Sequence, residues 1–350
     1  VSGPSRESAY LGFSELLTAY RSSFLLLQVH DAGLFELIAE AGSGLEQICR
    51  DLGWDPELGE RLLQALCGLE LLLVEGERFY LSPFSRAFLW SGSSRYQGAS
   101  LAFEQQLIGS WQTLEATLKQ GSRVHATGDK SPEELATALD RYLGAMGEAA
   151  RERAPEFWAW LRPPERGTIL EIGAGSGAFL QAFLQVHPGW QGLFFDLPEV
   201  VARARRSAQL QPLGERLRFF SGNYLEDGGG LAGCSYGDQA PELVLLSNVV
   251  HCQGQRETQE LLARAGQQLA PGGLLVIHDF FRDSPGPGRL YDLHMMLNTY
   301  NGRTYSRTGF EEMLQAAMGP GTCSWRSLAS GSALAAWAEE EEVLDRWLAG

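Results

Sequence analysis

The sequence predicts an α/β fold, a doubly wound parallel sheet preceded by a mostly helical N-terminal region. Three observations carry this. From Thr168 short apolar runs alternate with helical stretches: "TILEIG", "GLFFDL", "LRFFSG", "LVLLSNVV" and "LLVIHDFF". That is the pattern of parallel strands covered by helices on both faces. Before about residue 105 apolar positions recur at helical spacing instead. Within that N-terminal region two β-rich runs, "LLLVE" and "RFYLS", meet at Gly76-Glu77 and read as a hairpin.

Residues 1–105 read as helix, turn, helix and short hairpin, a winged-helix pattern. "YLGFSELLTAYRSSFLLLQVHDAGLFELIAEA" has helical spacing with a break at Gly33, and Leu62, Leu63, Leu66 and Leu69 share one face of a later helix. A winged helix raises DNA binding. Its second helix, "PELGERLLQALCGL", sets Glu57 and Glu60 against Arg61 alone, whereas phosphate neutralisation needs Lys and Arg. Residues 106–160 read as connecting helices interrupted by the polar turn "GDKSP". Residues 161–350 read as the ligand-binding domain, with two further strands in "CSWRSLASGSALAAWAEE". The Gly-rich "EDGGGLAGCSYGDQAPE" is taken as a plain loop, with a lid as the alternative.

Composition narrows the partners. The net charge is −15, which disfavours nucleic acid or an anionic membrane and leaves a small molecule. No apolar run reaches the ~18 to 20 residues of a membrane span. The segment "VSGPSRESAYLGF" lacks a basic region followed by an apolar stretch, so no secretory signal is read. The five cysteines are scattered, and no pair has C-x-x-C spacing. A disulfide framework is not expected, and the expected location is the cytoplasm.

"LEIGAGSGAFL" carries a strand ending at Glu171 or Ile172, a turn of Gly173, Gly175 and Gly177, then a helix. Glycines let the backbone bend tightly and approach a ligand. With Ala178 the stretch also satisfies G-x-G-x-x-G/A, so a nicotinamide-dinucleotide oxidoreductase stays as a remote alternative. Glu171 weighs against a nearby pyrophosphate and suits a ligand with an ammonium group. Asp196 ends the second strand in "FFDLPEVV", where a carboxylate can accept from both ribose hydroxyls. "QQLAPGGLLVI" supplies helix, turn and fifth strand.

Taken in order, "LEIGAGSGAFL", "FFDLPEVV", "SGNYLE", "NVVH" and "LAPGGLLVI" resemble the S-adenosylmethionine-dependent O-methyltransferases of the acetylserotonin and caffeate type. "FDLPEVV" is the most specific of these motifs. "AGLFELIAEA" through "GERFYLS" resembles the same family's winged-helix dimerisation domain. The resemblance implies a Rossmann-like class I methyltransferase sheet, S-adenosylmethionine as cofactor, a small-molecule acceptor and a homodimer. It implies that Glu171 and Gly173 hold the methionine end, with Gly175 and Gly177 in the same cofactor-binding turn. Asp196 would take the ribose, Leu197 would lie beside the adenine, and Asn223 and Tyr224 would flank it. Ser247, in the run "LVLLSNVV", joins this cofactor set. The family usually has Asp where Asn223 stands. Met146 matches a Met near the transferred methyl, with helix core as the competing reading.

"SNVVHCQG" places His251 just past an apolar run. From the residues alone it reads as a base, a metal ligand with Cys252, His278 and His294, or a satisfied core histidine. The spacings match no standard metal site, and no metal is expected. The family's histidine ends the fourth strand, so the resemblance puts His251 at that strand end as the general base on an acceptor hydroxyl, with Asp279 as its steering carboxylate. Two departures stand out. The family's His-Asp-Trp is His251-Cys252-Gln253 here, and its second steering carboxylate falls near Thr304, where no acid stands. A cofactor-retaining non-methylating enzyme, or an N- or C-methyltransferase, is therefore the alternative. In "LYDLHMMLNTYNG" His294, Asn298 and Tyr300 are the expected acceptor-binding residues, joined by Met295 and Met296, against core packing.

Overall fold

The computed structural model describes residues 6–122, 131–226, 230–231, 240–284 and 288–349. Three residues of the "GDKSP" turn, 128–130, and most of the Gly-rich loop after Glu226, Cys234 included, lie outside them. The chain divides into two compact units, residues 1–105 and 106–350.

The first unit begins with the helices Arg6–Thr18, Tyr20–Asp31, Leu34–Ile38, Leu45–Leu52 and Pro56–Gly68. The last starts where Asp55 accepts from the Leu58 N–H at 3.0 Å and Pro56 presets the first turn. Strands β1 (Ser43–Gly44), β2 (Leu72–Glu75) and β3 (Arg78–Leu81) form an antiparallel sheet in the order β1-β3-β2. The hairpin turns at Gly76-Glu77, with Gly76 at φ 61°. Leu63 and Leu66 are buried against Phe35, Ile38 and Ile48. Leu69 departs from the expected face and is 41% exposed. The helix ends at Gly68, so Leu69 is its C-cap and has left the helical period.

The second unit holds strands β4 (Gly167–Ile172), β5 (Trp190–Asp196), β6 (Leu217–Ser221), β7 (Leu243–Ser247), β8 (Leu274–Asp279), β9 (Thr322–Ser327) and β10 (Ala333–Ala338). Among the described residues they form one sheet in the order β6-β5-β4-β7-β8-β10-β9. The strands β4 to β8 pair in parallel, and β10 is antiparallel to both β8 and β9. The uninterrupted apolar run of β7 follows from burial on both faces. Leu243 and Leu245 enter one core with Ile169 and Phe194, while Val244 and Leu246 enter the other with Leu170 and Ile172. Each such side chain contributes about 1.5–3 kcal/mol by leaving water.

This order positions the site. From β4 the chain moves outward through β5 and β6, then returns to β7 on the other flank of β4. The crevice at such a reversal, beyond the carboxyl ends of the strands, is where doubly wound sheets bind ligands. Glu171 of β4 and Ser247 of β7 stand at its two sides. The helix Pro132–Trp158, begun by a Ser131–Glu134 capping box, runs past it and packs on the helix Ala178–Val186.

One expectation is corrected here. His251 does not end the fourth strand: β7 stops at Ser247, and His251 lies in the 3₁₀ turn Val250–Cys252. Asn248 causes the break by taking φ 55°, the left-handed region that asparagine tolerates better than most side chains. Its N–H still donates to the His278 carbonyl at 2.8 Å.

Candidate active site

The glycine turn hangs on a carboxylate. Gly175, at φ 56°, donates its N–H to Asp196 Oδ2 at 2.7 Å, and Leu197 N–H donates to Asp196 Oδ1 at 2.7 Å. Asp196 thus joins the turn after β4 to the end of β5. Gly173, at φ 71°, closes against Val249: a Cβ there would lie 2.8 Å from Val249 Cγ2. Gly177 caps the helix Ala178–Val186. Glu171 is 2% exposed, and its Oε2 has no hydrogen-bond partner. Burial, reinforced by Asp196, pushes its carboxyl well above the ordinary carboxylate range. Glu171, Gly173, Gly175, Met146 and Ser247 line one cleft together with Tyr142 and Asn248.

Farther along the sheet edge Leu197 is 39% exposed, a free apolar face beside Asp196. Asn223 Oδ1 accepts from Leu225 N–H at 3.0 Å, and its amide donates to Glu226 at 3.3 Å, so the side chain also shapes its own turn. Tyr224 Oη accepts from Gln253 Nε2 at 2.8 Å. Gln253, one of the two departures after His251, therefore ties the turn that carries His251 to the segment after β6.

His251 is 4% exposed and Asp279 is fully buried. His251 Nδ1 and Asp279 Oδ1 are 2.5 Å apart, and Asp279 Oδ2 accepts the His251 backbone N–H at 3.2 Å. Phe280 N–H also donates to Asp279 Oδ1, at 2.7 Å. Burial alone would disfavour the imidazolium. The Asp279 carboxylate outweighs it and holds His251 well above the ordinary histidine range. His251 Nε2 faces Tyr291 Oη at 3.5 Å. Cys252 turns back to the Asn248 carbonyl, with Sγ at 3.8 Å. His278 is held by Ser247 on Nδ1 and Ser332 on Nε2, at 3.0 and 2.9 Å. Burial pushes it down to about 3, so it is neutral. Thr304 does have an acid beside it, supplied by another segment: Asp292 Oδ1 accepts from the Thr304 N–H at 2.5 Å and from its hydroxyl at 2.9 Å.

The helix Gly288–Asn298 brings His294 and Asn298 together: Asn298 donates to the His294 carbonyl at 2.9 Å. The His294 ring stacks on Tyr291 at 5.6 Å and 25°, and lies 6.2 Å from Trp111. Met295 is buried in the core, and Met296 is half-buried. Tyr300 is not brought to this group. The helix has ended at Asn298, and Tyr300 is 87% exposed. Sequence reasoning missed Tyr142 and Tyr291. Both carry the same signal: Tyr142 is one helical turn before Met146, and Tyr291 one turn before His294.

A buried His–Asp pair and a glycine turn tied to Asp196, both past the carboxyl ends of the parallel strands, form an enzyme-like site. Comparison with known proteins names it. Residues 14–91 match the O-methyltransferase dimerisation domain and residues 165–319 the O-methyltransferase domain. The chain is 27% identical over 294 residues to the N,N-dimethyltransferase OxyT of Streptomyces rimosus, covering 81% of this chain and 82% of that one. It is 28% identical over 331 residues to acetylserotonin O-methyltransferase of Bos taurus, covering 87% and 92%. The crystal structure of human N-acetylserotonin methyltransferase in complex with SAM shares its fold, with TM-score 0.77 at 19% identity over 97% of this chain and 99% of that one. The chain belongs to the S-adenosylmethionine-dependent O-methyltransferase family.

The residues present fit that cofactor. The unpartnered, buried Glu171 Oε2 suits an ammonium group. Each Asp196 oxygen keeps acceptor capacity beyond its one backbone N–H. Among the described residues no group of three or more His, Cys, Asp or Glu could hold a metal ion, and no helix is long and apolar enough to cross a membrane.

Proposed function

We propose that this protein is a cytoplasmic, homodimeric methyltransferase that methylates a hydroxyl of a small aromatic or polyketide-like acceptor, with His251 as general base. The observation that carries this is the His251–Asp279 pair. Asp279 takes Nδ1, which leaves Nε2 to the acceptor side.

S-adenosylmethionine, when bound, supplies a methyl group on a positively charged sulfur that leaves readily. Glu171 and the glycine turn hold its amino-acid end, Asp196 its ribose, and Leu197, Asn223 and Tyr224 its adenine. Met146 and Ser247 line the cleft between these and the base. A phenol, with pKa about 10 by the tyrosine reference, arrives protonated at neutral pH. Neutral His251 removes that proton through Nε2. Asp279 fixes the ring and stabilises the imidazolium that forms. The raised proton affinity of His251 brings it closer to a phenol's and requires a pH at which it is free of its own proton. His294 and Asn298 contact the acceptor body.

The dimer reading is supported by the matched dimerisation domain and by the N-terminal helix, where Tyr10, Phe13, Leu16 and Leu17 are 58–80% exposed. Obligate interfaces that cover such faces bury about 2,000 Å² or more.

The name of the Streptomyces rimosus relative favours one second reading, transfer to nitrogen. A neutral aromatic amine presents its lone pair unaided, so His251 would take a proton only after transfer. A screen over hydroxylated aromatics and aromatic amines, read as mass gain of one methyl, tests both. Methylation of phenols that depends on His251 supports the first reading. Methylation of amines alone, insensitive to His251→Ala, replaces it.

A further inference from the structure

We propose that Tyr291 is a second hydrogen-bonding group of the acceptor site, and that the preferred acceptor carries a second oxygen next to the hydroxyl that is methylated. This rests on the reading of His251 as the base.

Tyr291 Oη lies 3.5 Å from His251 Nε2, the ring nitrogen that Asp279 does not hold. Its place is fixed from several sides. The ring lies against Phe280 at 4.1 Å and 31°, and His294 stacks near it at 5.6 Å. It meets the His251 ring edge-on, at 5.2 Å and 87°. The next residue, Asp292, is pinned by the Thr304 N–H and hydroxyl, which anchors the helix that carries Tyr291. A hydroxyl held this firmly beside the base is part of the surface the acceptor meets.

The spacing states what it reads. If Nε2 and Oη both bonded one acceptor oxygen at about 2.8 Å, the angle at that oxygen would be only about 80°. Two oxygens on neighbouring ring carbons, or across a peri position, lie about 2.7 Å apart, the length of a short hydrogen bond. Such a pair matches Nε2 and Oη one to one. The reacting hydroxyl gives its proton to His251, and the neighbouring oxygen bonds Tyr291. Burial pushes the Tyr291 phenol up, so it stays protonated. It can therefore donate to a neighbouring carbonyl or accept from a neighbouring hydroxyl. The bond keeps the reacting oxygen over Nε2 and sets which hydroxyl is presented.

The test compares catechol with phenol on wild type and Tyr291→Phe, which keeps the ring stack and loses the hydroxyl. Two readouts are taken: kcat/KM for methyl transfer, and calorimetric affinity of each probe for protein loaded with S-adenosylhomocysteine. Wild type should favour catechol over phenol by about tenfold in both, the worth of one hydrogen bond. In Tyr291→Phe the ratio should collapse towards one, at an unchanged melting temperature. A ratio that survives in Tyr291→Phe, or a wild type without preference, overturns the proposal. If neither probe is methylated in a His251-dependent way, the base reading fails instead, and the affinity ratios still decide the role of Tyr291.

Discussion

His251 and Asp279 are joined twice, ring to carboxylate at 2.5 Å and backbone N–H to the other carboxylate oxygen at 3.2 Å. One fully buried carboxylate therefore fixes both the position of the 3₁₀ turn and the tilt of its imidazole. The two bonds come from segments 28 residues apart, joined by the parallel pairing of β7 with β8.

The pair sets a pH dependence. His251 is held above the ordinary histidine value, and the base acts only when neutral. Hence kcat/KM should rise with pH through that raised value and level off in the alkaline range. Asp279→Asn removes the charge that outweighs burial, so the inflection should move to lower pH. Turnover should fall by about ten- to a hundredfold, less than on losing the base itself. A pH–rate profile of both proteins checks this. An inflection that stays in place would show that Asp279 does not tune His251.

Glu171 predicts a conflict between binding and stability. Its carboxyl is held above the ordinary 4.5 by burial, so the folded chain binds that proton more tightly than the unfolded one. The associated stability is fully present below about pH 4.5 and is lost as pH rises through the raised value. Glu171→Gln should therefore stabilise the cofactor-free protein by about 1–3 kcal/mol at neutral pH and by little in acid. It should also weaken S-adenosylmethionine binding by at least tenfold. Thermal melts at the two pH values and calorimetry measure both effects. A cofactor affinity equal to wild type would remove Glu171 from the site.

Asp196 should show two losses at once. Asp196→Ala removes the acceptor for the Gly175 and Leu197 N–H groups as well as the proposed ribose contacts. Cofactor affinity should drop by about 1.5–3 kcal/mol, and folding stability by about 1–3 kcal/mol. Calorimetry that gives unchanged affinity would leave Asp196 with the structural role alone.

Much of this was legible in the sequence, for reasons that also mark its limits. The run "LVLLSNVV" announced a strand buried on both faces, and Gly76-Glu77 announced the hairpin. Both are signals of local period and turn chemistry. The end of β7 at Ser247 was not legible, because Val249 and Val250 carry the apolar run on past it and only the backbone of Asn248 breaks it. The partner of Thr304 was not legible either. Asp292 reaches it from the helix before, and no spacing rule links the two. Tyr142 and Tyr291 carried a signal in their helical spacing to Met146 and His294, but one that core packing mimics equally well.

The N-terminal apolar row should be a dimer surface. Sedimentation at micromolar concentration should give twice the chain mass. Leu16→Glu together with Leu17→Glu, at positions 80% and 62% exposed, should shift it to monomer without unfolding. A wild-type monomer under these conditions would contradict the homodimer.

The central claim is that His251 takes the proton from the acceptor, and turnover of His251→Ala on a phenolic acceptor, followed against pH, tests it most directly. S-adenosylmethionine affinity should be nearly unchanged, because no contact with the nucleoside is assigned to His251. Turnover at neutral pH should fall by about 10² to 10⁴, the usual worth of a positioned base. The deficit should shrink above about pH 10, where solvent supplies the phenolate. Cys252→Ala, whose thiol points to the Asn248 carbonyl, should change little. Full turnover in His251→Ala at neutral pH would contradict the account, as would a loss in Cys252→Ala equal to that in His251→Ala and matched by a chelator.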